Sequence, residues 1–300
     1  MNSFLIDSIL SLENGFTATI LSTEGHSYKK RGQRAVYEVG DIAPVFGNLG
    51  SLCVDAEILD EGERAVLKGK PMRLTIDLQG PGEVVFGYGT ACGGVLTVLL
   101  EPVRGEHKKV YREVDARLAV GQGCWLSHDV ESGRLELACS APAMEPSLFV
   151  EEIEPLQKVF LFGATPLAGV LIHQAQAMSF APHVVDWRPP HLDGFTPLRG
   201  VRTHTNLDEL DAASFLAVLS HSFERDVAAL RAGLEMKCRY VGLLASSVRR
   251  EKVFAALAKV GVEAAALERI HSPIGLSFGA RSDPEIALSI LAEMIQELRR

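Results

Sequence analysis

The chain has 300 residues, of which 47% are apolar and 23% charged, and its formal net charge is −8. That length suits about two domains of roughly 100 to 200 residues, each with a core of its own. The acidic balance excludes non-specific nucleic-acid binding, which needs basic surface against phosphate. No apolar run approaches the roughly 20 residues that span a bilayer, so no membrane partner is expected. Residues Met1 to Leu5 have neither the basic segment nor the apolar stretch of a secretion signal, which predicts a cytoplasmic protein. The five cysteines, Cys53, Cys92, Cys124, Cys139 and Cys238, are widely spaced and include no CxxC pair. Free thiols are expected, not a disulfide framework or a zinc knuckle.

In chain order, the first half reads as short strands broken by turns. Residues 15–23 are β-rich, 33–39 and 72–78 alternate apolar and polar side chains, and 94–100 are apolar throughout. Helical patterns fall at 54–59 and 106–120, and a hairpin turning at Ser132-Gly133 joins 124–126 to 135–137. Residues 1–155 are therefore expected to form an α+β domain. Beyond Pro155 the pattern becomes regular, with predicted strands at 158–162, 183–186, 214–219 and 240–244. Predicted helices alternate with them at 166–178, 223–234, 247–260 and 284–298. The overall class is thus α/β, with residues 156–300 forming a Rossmann-like parallel sheet covered on both faces.

In such a domain the first strand-to-helix turn is where a phosphate meets a helix N-terminus. Here it reads Phe162-Gly163-Ala164-Thr165-Pro166-Leu167-Ala168. Gly163 and Ala168 fit the dinucleotide fingerprint, whereas Thr165 stands where a second glycine would let backbone approach a pyrophosphate. Asp186, at the end of the second predicted strand, is the candidate acceptor for a ribose hydroxyl. His221 ends a central strand, where open α/β sheets place their ligands, and is the candidate acid-base or ligand residue. Ser246 and Arg249 follow another strand end, where serine caps a helix and arginine binds phosphate. An NAD(P)-dependent oxidoreductase using Gly163, Asp186 and His221 is one reading, which Thr165 weakens. A Rossmann-like scaffold with an altered pocket is the other.

Ser220-His221, Tyr240 to Arg250, Pro273 to Ile290 (PIGLSFGARSDPEIALSI) and Ala292-Glu293 resemble the XdhC/CoxI family of molybdoenzyme accessory proteins. Cys92-Gly93-Gly94, followed by a strand and Glu101-Pro102, and Ser22 to Tyr28 near the start extend the similarity over nearly the whole chain. The resemblance implies a chaperone that binds the molybdenum cofactor, a molybdopterin. Such a protein assists exchange of the cofactor's oxo ligand for sulfur with a cysteine desulfurase, and delivers it to xanthine dehydrogenase or a related molybdenum hydroxylase. Turnover of a substrate is not required, and no catalytic residue is assigned. The family usually has Ser-Gly-Gly-Cys where this chain ends a loop at Cys53, and Gly-x-Gly-His where it has Gly163-Ala164-Thr165-Pro166. Its Gly-Ser ahead of the basic pair is here Ala245-Ser246-Ser247.

Within that resemblance the candidate cofactor contacts are Cys92, Cys53, Gly93, Gly94, His26, Gly163, Asp186, His221, Ser246 and Arg249. Thiolate is a soft ligand, suited to molybdenum or to sulfur transfer, and Cys92 is the candidate metal contact. Cys92 stands among glycines whose amides can turn inward, and Cys53 precedes a predicted helix; both settings favour a thiolate. The alternative for Cys53 is a small buried hydrophobe, the role also expected of Cys124, Cys139 and Cys238. His26 to Arg31 form a polar, basic loop suited to an anionic phosphate or simply to solvent. A third reading is a ligand-free scaffold for a dehydrogenase subunit. Ile286, Ile290 and Met294 share a helical face, read as core with a homodimer surface as the alternative.

Overall fold

The computed structural model describes residues 3–25, 29–50, 52–77, 94–178 and 180–300, leaving aside the side chains of residues 3, 52 and 53. It divides into two compact units, one ending at Pro155 and the other beginning at Leu156.

The first unit opens with α1 (Ser3–Ser11), a helix not expected from the sequence; Leu5, Ile6 and Ile9 set its apolar side into the core, with Leu12 buried just beyond it. The strands β1 (Gly15–Gly25) and β2 (Arg34–Glu38) precede α2 (Leu52–Lys68), and β3 (Met72–Asp77) and β4 (Gly94–Pro102) follow it. They form an antiparallel sheet in the order β2-β1-β4-β3. α2 runs well beyond the predicted 54–59, because charged residues after Leu59 hide the period while Ala65 still reaches the core. It lies against Phe16, whose ring occupies the space a side chain at Gly62 would need. α3 (Gly105–Ala119) leads to a second antiparallel sheet of β5 (Cys124–Asp129), β6 (Leu135–Ala138) and β7 (Leu148–Ile153), in the order β6-β5-β7.

The second unit alternates β8 (Gln157–Phe162), α4 (Pro166–Ala177) and β9 (Phe180–Val185), then a 3-10 turn (Pro189–Leu192) and the short β10 (Arg202–His204). β11 (Phe215–Val218), α5 (Phe223–Glu235), β12 (Tyr240–Leu243) and α6 (Ser247–Lys259) follow. A single helical turn, α7 (Ala264–Leu267), β13 (Ile270–His271) and α8 (Asp283–Leu298) complete it. Among the described residues the sheet has six parallel strands in the order β10-β9-β8-β11-β12-β13. This is the doubly wound Rossmann order, with its reversal between β8 and β11. One apolar layer joins the sheet to Leu171 of α4 and to Ile290 and Met294 of α8, against which Ile286 packs. The other joins it to Leu230 of α5 and to Val253 and Leu257 of α6. The helical face of Ile286, Ile290 and Met294 is therefore core.

Three cysteines are free among the described residues. Cys124 and Cys238 are buried, and burial pushes the Cys238 thiol up to about 11 and that of Cys124 upward, as suits the small buried hydrophobes expected there. Cys139 departs from expectation: it follows β6 in a bend and is exposed, because the chain has left the sheet one residue earlier.

Candidate functional site

In the first unit, Gly25 faces Gly94 as the last pair of β1 and β4, and Asp77 faces Val95 at the end of β3. Gly94 is buried and begins β4. α2 runs antiparallel to β1: beyond its C-terminal end the Gly69 carbonyl accepts from Arg104, just past the end of β4, while Gly62 sits on Phe16 near the start of β1. Cys53, in the first turn of α2, is about two and a half turns from Gly62, toward the Gly25–Gly94 end. Lys29 Nζ donates to the Asn48 carbonyl at 2.5 Å, holding the chain after β1 against the approach to α2. His26, Cys92 and Gly93 lie outside the described residues, and only the backbone of Cys53 is described. Their chain neighbours Gly25, Lys29, Gly94 and Val54 lie toward one end of one sheet.

Farther into that unit is a buried ionic network that no sequence motif announces. Arg34 Nε donates to Thr19 Oγ1 at 2.7 Å, and its Nη2 donates to Glu151 Oε1 at 2.7 Å. The same Oε1 accepts from His128 Nε2 at 2.9 Å, while His128 Nδ1 lies 2.9 Å from Glu101 Oε2. Burial opposes charge on His128, but the Glu101 carboxylate and the hydrogen bonds to Glu101 and Glu151 outweigh it and raise the imidazole to about 9. Burial would likewise raise Glu151, yet Arg34 and His128 hold it at about 2. The network ties β2 and β4 of one sheet to β5 and β7 of the other.

In the second unit, Gly163, Asp186, His221 and Ser246 follow the carboxyl ends of β8, β9, β11 and β12, and Arg249 lies in the first turn of α6. Gly163 has φ +112°, and a Cβ there would stand 2.9 Å from the Ser220 backbone, so only glycine lets β8 and β11 close at the reversal. Thr165 caps α4 by accepting from Ala168 N at 3.3 Å. Asp186 is fully buried: Oδ2 accepts from Ala164 N at 3.0 Å and from Arg188 Nη2, and Oδ1 accepts from Arg188 N and Nε. Burial would raise this carboxyl, but Arg188 and the two amides lower it to about 2. With all four acceptor positions taken, the ribose contact expected of Asp186 finds no free lone pair. Arg249 is also committed, its Nη2 lying 2.5 Å from Oδ2 of the fully buried Asp226, whose other oxygen accepts from Ser220 Oγ. Ser246 caps α6 through Arg249 N at 3.4 Å. His221, expected to end a central strand, lies three residues beyond the end of β11 and is exposed. The amides of Gly163, Ala164, Thr165 and Ala168 are thus taken within the domain, a poor fit to a pyrophosphate.

The long motif near the C-terminus has a structural explanation. Glu293 Oε2 accepts from Gly275 N at 2.8 Å and from Tyr240 Oη at 2.5 Å, and Oε1 lies 3.0 Å from His271 Nδ1. Gly275 has φ +91°, and a Cβ on it would lie 2.4 Å from Ser289 Oγ. The PIGL turn is thus clamped to α8 by the glutamate seventeen to twenty residues later in the chain. A family model described as the XdhC Rossmann domain matches residues 159–294. That segment is an XdhC Rossmann domain.

The resemblance to XdhC proteins read from the sequence is borne out by this match, and the similarity extends beyond the XdhC domain. The chain is 24% identical to a protein of Bacillus subtilis strain 168 described as a probable xanthine dehydrogenase subunit, covering 99% of this chain and 97% of that one. It is 22% identical to the molybdenum cofactor insertion chaperone PaoD of Escherichia coli K12, covering 97% of this chain and 86% of that one. A crystal structure described as a xanthine dehydrogenase from Bacillus halodurans superposes with a TM-score of 0.76 at 22% identity, over 99% of this chain and 95% of that one. It shares the fold.

Proposed function

We propose that this protein is a molybdenum cofactor insertion chaperone serving a xanthine dehydrogenase or a related molybdenum hydroxylase in the cytoplasm. The observation that carries the reading is the end-to-end similarity to a relative named for that role, over 97% of this chain. The cofactor itself would bring a phosphate, a flat polar pterin and a soft dithiolene-bound metal. Toward these, the chain offers the Cys92 thiol, the Cys53 thiol at the start of α2, the Lys29 ammonium and His26. The described neighbours of these residues lie toward one sheet end, a donor set that suits both the phosphate and the soft metal. The turn of the XdhC domain, where Asp186 and Thr165 hold the Ala164 and Ala168 amides, supports assigning cofactor contact to the first unit and argues against nicotinamide chemistry. Sulfuration with a cysteine desulfurase as donor is the finer part of the proposal, with Cys92 the leading contact.

The protein made in a cofactor-competent host should release about one equivalent of oxidised fluorescent pterin, and Cys92→Ala should release much less. Pterin absent from the wild type, or present equally in Cys92→Ala, would sink the cofactor-contact reading. Recovery of a molybdoenzyme subunit with no pterin would instead favour a ligand-free scaffold.

A further inference from the structure

Outside the residues considered so far, one group of side chains in the second unit has the composition of a metal site. His183 sits in the interior of β9, buried, with its ring on Phe160 at 4.5 Å between centroids. His204 ends the edge strand β10 beside it. The two imidazoles are nearly coplanar, 4° apart, with His183 Nδ1 2.9 Å from His204 Nε2. One proton must lie between these nitrogens, since two lone pairs or two N–H groups would repel at that distance. Glu209 comes from the connection that crosses from β10 to β11, and its Oε1 lies 3.7 Å from His204 Nδ1. One ligand atom from each of the three residues can be chosen so that all lie within 4.8 Å of one another.

We propose that His183, His204 and Glu209 bind a divalent transition ion of the zinc class. Two imidazole nitrogens and one carboxylate oxygen are the donors of many three-residue zinc sites, whose fourth position stays open. The ion takes one nitrogen of each ring, and where it takes the two that lie 2.9 Å apart it replaces the proton they share. Tetrahedral ligation at about 2.1 Å sets neighbouring donors about 3.4 Å apart, so these two nitrogens, as ligands of one ion, must open by about half an ångström. His204, on an edge strand, and Glu209, half exposed on a loop, have the freedom to adjust. The charged neighbours leave Glu209 available: Arg202 lies 3.5 Å from its Oε2, leaving Oε1 for the ion, and Lys158 is paired with Asp211 at 2.7 Å. His204 also lines an open hollow of about 420 Å3, with Asp193, Thr196, Thr203 and Asn206 among its walls. An ion here would fasten the crossover segment to the sheet edge and present its remaining coordination position to solvent or to a small oxygen ligand. The proposal is independent of the cofactor-insertion reading.

The test is calorimetric titration of the chelator-treated full chain with Zn2+ alone, followed by Co2+ substitution read in the visible spectrum. One saturable site is expected, weakened at least about tenfold in His204→Gln and in Glu209→Gln, and unchanged in Cys139→Ser. Circular dichroism of each variant confirms that it is folded, and Glu209→Gln, at an exposed position, keeps the test open should an imidazole variant fail. The Co2+ form should show tetrahedral ligand-field bands without thiolate charge transfer. Lack of saturable binding, binding abolished by Cys139→Ser, or binding indifferent to Glu209→Gln would overturn the assignment.

Discussion

His128 donates from both ring nitrogens to buried carboxylates, so its proton is part of the fold. Removing the ring in His128→Asn leaves Glu101 and Glu151 facing each other across a buried gap with Arg34 alone to compensate. The expected loss is roughly 3 to 5 kcal/mol, read as the urea midpoint of the first unit. The linkage has a definite sign. The His128 pKa is raised from 6.5 to about 9, so its stabilisation is complete below about 6.5 and is lost as pH rises through about 9. The Glu151 pKa is lowered from 4.5 to about 2, so its stabilisation is complete above about 4.5 and is lost as pH falls toward 2. The network therefore contributes most between about pH 4.5 and 6.5. In denaturation at pH 5.5 and pH 9, the wild type should lose stability at the alkaline value and His128→Asn should lose much less. In the XdhC domain, Gly163→Ala meets both a positive φ and the Ser220 backbone, and should cost roughly 2 to 3 kcal/mol in thermal or urea unfolding.

At the scale of elements, the turn from β8 to α4 has the position of a dinucleotide cradle and a different arrangement of hydrogen bonds. Thr165 takes the Ala168 amide, and Asp186, reaching across from β9, takes the Ala164 amide. Thr165→Ala should remove a helix cap worth about 1 kcal/mol. Thr165→Gly restores the fingerprint glycine, yet titration with NAD(H) or NADP(H) should still show no saturable binding, because Asp186 and Arg188 hold the rest of the site closed. Micromolar binding by that variant would overturn this account of the turn. The loop after β13 shows a similar division of labour: the residues that make the family motif conspicuous, Gly275 and Glu293, fasten a turn to α8.

For the whole molecule, each unit carries its own apolar core, one around Phe16, Ile58 and Val98, the other on both faces of the parallel sheet. Residues 156–300 expressed alone should therefore unfold cooperatively, with calorimetric and van't Hoff enthalpies agreeing. Much of this architecture is legible in the sequence. Strands and helices long enough to repeat their apolar period, such as β4, α3, α5 and α8, stand out, as does the alternation that announces a parallel sheet. Elements as short as β10, α7 and β13 carry too few positions for a period to register. The candidate residues of the second unit fall at strand ends as expected, because chain order alone places them there. Sequence periodicity reports which side chains are buried, since burial repeats with the backbone. It does not report which polar groups meet. Only the tertiary structure decided that Asp186 is committed to Ala164 and Arg188, that Arg249 answers Asp226, and that His128 joins Glu101 to Glu151, since each pairing depends on where separate elements pack.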